Sequence, residues 1–145
     1  MTADAYAPLL QSGNDLVAQA QAVATQDFAQ ARALWQQAGA FFAKAHQADP
    51  EQHAAALRLG QAWMAEAHAL QKEGSANATL MWTNAAAQCE RAFDLAPEHA
   101  PTAMLVASCH AWAQNDEAAQ AWAQIAQHLQ QQQQAGAPAA AGSQD

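Results

Sequence analysis

Bulky apolar residues are sparse along this chain, and many return at one fixed interval. FFAKAHQADP, residues 41–50, runs from two aromatics through Ala45 to a proline; QCERAFDLAP, residues 88–97, ends the same way. A shift of 47 residues sets Leu10 on Leu57, Gly13 on Gly60, Trp35 on Trp82 and Pro50 on Pro97, beside a series of matched alanines. It also sets Leu16 on Trp63 and Phe42 on Cys89. Carried further, it sets Leu57 on Met104, Gly60 on Ala107 and Trp63 on His110, so a third, shorter unit opens at Ala100.

Breakers divide the units. Proline stops a helix and pushes the residue before it out of the helical region, so QADPEQ (47–52) and LAPEHAP (95–101) are sharp ends. ATQDFA (24–29), KEGSANA (72–78) and AQNDEAA (113–119) are softer, and each offers an Asp, Ser or Asn to cap the next helix. This punctuation predicts six helices, over 6–25, 27–48, 51–73, 75–95, 99–114 and 116–132. Pro8 and Pro101 fall in first turns, where a missing N–H is tolerated. The segment from Gln131 to Asp145 is low in complexity and reads as a disordered tail behind a helical domain over 1–130.

Glycine inside a helix costs about 1 kcal/mol relative to alanine. Gly13 and Gly60, with Ala107 at the third place, therefore point to close approach of a neighbouring helix. Ala38, Ala85 and Ala119 are the expected small partners. One hairpin cannot bury its apolar face alone, but several together can.

These residues resemble the tetratricopeptide repeat family, whose unit is about 34 residues. In the third unit Val106, Ala107 and His110 fall on the family's first-helix Leu, Gly and Tyr, and Ala119, Ala123 and Ala126 on its second-helix positions. Leu59, Gly60, Trp63, Ala85, Cys89, Ala92 and Pro97 match in the second unit; Gly13, Leu16, Ala38, Phe42, Ala45 and Pro50 match in the first. The resemblance spans roughly 6–130. The sequence departs from it in its long first two units, in Ser12 where the family has Leu, and in Ala123 where it has an aromatic. The resemblance implies an all-α fold, a right-handed superhelical stack of three antiparallel hairpins. It also implies a concave groove on the first helices of the pairs. Carried over position by position, that groove takes Leu10, Asn14 and Val17, then Leu57, Arg58, Gln61 and Met64, then Met104, Leu105, Ser108 and Trp112. Such a set is apolar and adaptable, suited to an amphipathic helix or apolar peptide. The bland alternative makes Leu10, Leu57 and Met104 plain core. Trp35 and Trp82 are expected to pack the extra turns together.

Charge narrows the partners. The formal charge is −8 and only five Lys and Arg are present, which argues against nucleic acid and against an anionic membrane surface. No run is apolar enough for a membrane span, and the N-terminus shows no signal-peptide pattern. Cys89 and Cys109 form no CxxC motif; two buried thiols in a reducing cytoplasm are expected. His46, Asp49, Glu51, His53 and His99 cluster around the two sharp turns, but no metal-ligand spacing joins them, so no metal and no cofactor is expected. His110 reads as a core histidine with a hydrogen bond. No phosphate loop or nucleophile motif occurs, so an enzyme is not expected. The expected function is a cytoplasmic adaptor or chaperone-like module that binds another protein or peptide. The alternative is a self-assembling structural subunit, joined through Trp122 and Ile125 of the C-terminal hairpin if these face outward.

Overall fold

The computed structural model describes residues 3–142, with side chains placed from Asp4 to Ala135. A 3-10 turn, Ala3–Ala5, leads into six helices among the described residues: α1 (Tyr6–Val23), α2 (Phe28–Ala48), α3 (His53–Lys72), α4 (Ala78–Leu95), α5 (Ala100–Trp112) and α6 (Asp116–Gly142). No strand occurs among the described residues, so the fold is all-α. None of these helices is long and apolar enough to cross a membrane.

Local chemistry sets the boundaries. The Asp27 carboxylate accepts from the Gln30 N–H at 3.0 Å and caps α2. Asn115 Oδ1 accepts from the Ala118 N–H at 3.3 Å ahead of α6. Gly74 ends α3 in the left-handed region at φ 73°. There the Ser75 N–H donates to the Leu70 carbonyl at 2.9 Å and the Gly74 N–H to Gln71 at 3.0 Å, a Schellman ending. α5 ends identically, with Asn115 donating to His110 at 2.8 Å and Gln114 to Ala111 at 3.0 Å. Gln114 takes the left-handed place there at φ 64° without being glycine. Two boundaries differ from expectation by more than two residues. α4 opens at Ala78, because Ser75 Oγ accepts from the Asn77 N–H at 3.1 Å and holds 75–77 in a turn. α6 stays helical to Gly142, beyond the boundary expected at 132, so only α5 is short in the third unit. Gln133 Nε2 donates to the Glu98 carbonyl at 2.9 Å and ties α6 to the α4–α5 turn. Residues 143–145 of the low-complexity tail lie outside the described residues.

Each helix packs against the next along the chain. Gly13, midway along α1, meets Phe42 beyond the middle of α2; Gly60, midway along α3, meets Cys89 on α4. Contacts at similar distances either side of the turn make both pairs antiparallel. These contacts correct the expected partners: the glycines make room for Phe42 and Cys89, which the repeat interval equates, and not for Ala38 and Ala85. An added Cβ at Gly13 would lie 2.6 Å from Phe42 Cδ1, and one at Gly60 would lie 2.7 Å from the Cys89 sulfur.

The core has two parts. Phe42, Leu59, Ala38 and Ala62 bury the α1–α2–α3 junction, with Leu10, Leu16 and Val17 against them. Trp82, Val106, Cys89 and Cys109 bury the α3–α4–α5 junction, with Trp63, Met64 and Leu105 against them. Full burial of each large side chain stabilises by roughly 1.5–3 kcal/mol. Buried alanines such as Ala31, Ala55, Ala67 and Ala103 add little area and let backbones close up. One edge of the α2–α3 junction is polar. Arg32 Nε donates to Glu66 Oε1 at 3.1 Å, its Nη1 pairs with Glu73, and Gln36 Nε2 donates to Glu66 Oε2 at 3.0 Å. Burial alone would raise the Glu66 carboxyl, but the hydrogen bonds from Arg32 and Gln36 outweigh it and hold the group below its ordinary range.

Candidate partner-binding groove

Alternate helices converge on one groove of about 330 Å³. α1 supplies Val17 and Gln21. α3 supplies Arg58, Gln61, Ala62, Met64, Ala65 and His68. α5 supplies Leu105, and Trp35 and Phe42 of α2 complete the wall. Of the residues expected there, Val17, Arg58, Gln61, Met64 and Leu105 come together. Leu10 packs on the Phe42 cluster instead. Asn14 and Leu57 are half-buried outside the lining, and Ser108 is exposed on α5. Met104 and Trp112 are each 46% exposed, also outside the lining. Exposure at that level excludes Met104 from the core, so the bland alternative fails for it.

The charge of the groove is simple. Arg58 Nη1 donates to Gln61 Oε1 at 3.2 Å, and no carboxylate lies in the lining. His68 is held below the ordinary histidine value by burial, which keeps the ring neutral at physiological pH. The groove is thus largely apolar, with the amides of Gln21 and Gln61, the His68 imidazole and one guanidinium, in a chain whose formal charge is −8. A second depression of about 340 Å³ shares Trp35 and Ala62 with it and runs to Trp63, Glu66 and Met81. Its carboxylate, Glu66, is already held by Arg32 and Gln36.

Aromatic packing explains why the groove is open. In the second unit Trp82 is fully buried and donates through Nε1 to Gln71 Oε1 at 2.9 Å. Trp112 stacks on it, with ring centroids 5.6 Å apart and planes 13° from parallel. His68 closes the side, its ring 4.6 Å from Trp82 and 5.5 Å from Trp112. The interval of 47 residues equates Trp82 with Trp35, His68 with Gln21 and Trp112 with Ala65. Trp35, Gln21 and Ala65 all line the groove. Where the third unit lays an indole on Trp82, the equivalent residue of the second unit, Ala65, has one methyl group. Trp35 is half-buried, with Phe28 edge-on at 6.1 Å. The expectation that both tryptophans pack away holds for Trp82 only. Trp35, Phe42 and His68 were missed as lining residues, although the matched Trp35 and Trp82 carried the signal.

The other side chains singled out make local contacts. His53 and His99 meet edge-on at 4.9 Å. His53 Nδ1 donates to the Ala92 carbonyl at 2.9 Å, and its Nε2 lies 3.4 Å from Thr102 Oγ1. His99 Nδ1 lies 2.6 Å from the same hydroxyl. This network joins the starts of α3 and α5 to the end of α4. Among the described residues no group of three or more His, Cys, Asp and Glu is placed to share an ion. His110 Nε2 lies 3.3 Å from Glu90 Oε1. Cys89 and Cys109 are free and buried; a hydrogen bond with Cys89, then burial, push the Cys109 thiol far up. Trp122 turns inward against Phe93 at 5.1 Å, while Ile125 is 38% exposed. No protein-family model matches the chain, and no curated protein matches it.

Proposed function

We propose that the chain is a protein–protein interaction module, an adaptor or chaperone-like protein, that holds an amphipathic helix or apolar peptide by reversible binding without chemistry. The arrangement we favour is the tetratricopeptide-like one: three antiparallel hairpins in a right-handed superhelical stack, with the first helix of each pair on the concave side. The observation that carries this reading is the convergence of Val17, Arg58, Gln61, Met64 and Leu105, from α1, α3 and α5, on one apolar groove. Antiparallel pairing within the first two hairpins supports it. Free thiols at Cys89 and Cys109 suit a reducing compartment such as the cytoplasm.

The test combines light scattering with capture from native extract and titration of the captured partner. A monomer whose partner binds at least tenfold more weakly to Met64→Glu, with unchanged far-ultraviolet circular dichroism, supports the proposal. Loss of helicity in Met64→Glu makes that residue core and removes it from the groove. A concentration-independent oligomer that captures nothing favours the self-assembling subunit, for which Ile125 is one exposed apolar contact on the C-terminal hairpin.

A further inference from the structure

We propose that the groove takes an aromatic side chain of its partner, stacked on Trp35 above Ala65, with a partner carboxylate at Arg58. This rests on the groove reading and names what that groove selects. The protein contains its own template for the aromatic half. Trp112 covers Trp82 at 5.6 Å with nearly parallel planes, and Ala65, the residue that the repeat interval equates with Trp112, lines the same groove as Trp35. The missing indole leaves Trp35 half-buried on the wall of a space of about 330 Å³, enough for one aromatic side chain. An aromatic ring brings 150–250 Å² of buried surface and gains further from offset stacking. Aromatic anchors in central pockets commonly dominate binding energy.

Charge complementarity sets the second feature. Among the described cations, Arg32 is paired with Glu66 and Glu73, and Arg91 donates to Gln88. Lys44 lies over Phe41 and Lys72 over Phe28. Arg58 alone of these lines the groove, bonded to Gln61 with no carboxylate in the lining. A partner helix that brings Asp or Glu about one turn from its aromatic residue pairs with that guanidinium in a groove with no carboxylate of its own. A basic residue there meets Arg58 as a like charge.

The test uses the full chain and labelled amphipathic peptide helices that differ at two positions, Trp or Ala at the anchor and Glu or Lys one turn away. Anisotropy titration should show the Trp/Glu peptide binding roughly tenfold more tightly than Ala/Glu, and several-fold more tightly than Trp/Lys. Ala65→Trp, which supplies the missing indole in cis, should abolish the Trp-over-Ala preference, and Arg58→Glu should reverse the Glu-over-Lys preference. Ala65→Leu, which fills less of the space, gives the same readout if the larger residue disturbs folding. Equal affinity for all four peptides, unmoved by either Ala65 variant but weakened by Met64→Glu, overturns this inference and leaves the groove reading intact. No binding by any peptide, with native partner binding indifferent to Met64→Glu, overturns both.

Discussion

Replacing Gly13 by alanine adds one methyl group where the structure has no room for it. The new carbon would sit 2.6 Å and 2.9 Å from two carbons of the Phe42 ring. Phe42 is fully buried among Ala38, Leu59 and Ala62, so the ring cannot swing aside without opening the junction of α1, α2 and α3. Overpacking of this kind costs roughly 1–3 kcal/mol. Against it stands the gain from replacing a helical glycine by alanine, about 1 kcal/mol. The net expectation is destabilisation by about 1 kcal/mol. Gly39 supplies the control. A methyl group there meets only the Ala62 Cβ at 3.4 Å, an ordinary contact, so Gly39→Ala keeps most of its propensity gain and stabilises by about 0.5–1 kcal/mol. The two substitutions are chemically identical and should differ by roughly 2 kcal/mol. For a chain of this length that is a separation of about 6–8 °C in Tm, at about 3–4 °C per kcal/mol, read by circular dichroism at 222 nm. Gly60→Ala tests the same reasoning at the equivalent place. Its methyl would lie 2.7 Å from the Cys89 sulfur, and pairing it with Cys89→Ala removes the obstacle. That double variant should recover about 1 kcal/mol relative to the sum of the single changes. If Gly13→Ala and Gly39→Ala raise Tm equally, the glycines are not there for close approach and the packing argument fails.

Further expectations rest on separate features. Gln114→Gly should stabilise by about 0.5–1 kcal/mol, because Gln114 holds a left-handed conformation at φ 64° that costs a residue with a Cβ; a lower urea midpoint would contradict this. Stability should fall as pH drops below about 6.5. Burial, then the neighbouring His53, lower the His99 pKa, and burial lowers that of His68. The unfolded chain therefore binds more protons through that window, and stability is full above it. Glu66 is also lowered, so its contribution is present above its unfolded value and is lost only in a later, more acid step. Urea midpoints from pH 8 to pH 4 should show the first loss shrinking in His99→Gln; an unchanged difference between the two proteins across that range refutes the assignment. Cys109 should resist alkylation until the protein unfolds, since its hydrogen bond to Cys89 and its burial disfavour the thiolate. Labelling of the native protein within minutes at neutral pH would contradict that placement.

The sequence by itself determined where the helices lie to within three residues at every end except that of α6, because helix ends are decided largely by local groups. Asp27 and Asn115 cap, Pro50 and Pro97 follow helix ends, and Gly74 turns the chain after α3, all within a few residues of the boundary each one sets. The interval of 47 residues also equated Gly13 with Gly60 and Phe42 with Cys89 before any contact between them was visible. What it could not reach was which side chain fills which space. Gly13 makes room for Phe42 and not Ala38, because the rotation of α2 about its own axis is set by how whole faces interlock. Trp35 and Trp82 occupy matched places, yet one is half-buried and the other sealed. Their difference lies in Ala65 and Trp112, on other helices, and only the packing of α3 and α5 across those rings turns that difference into a groove.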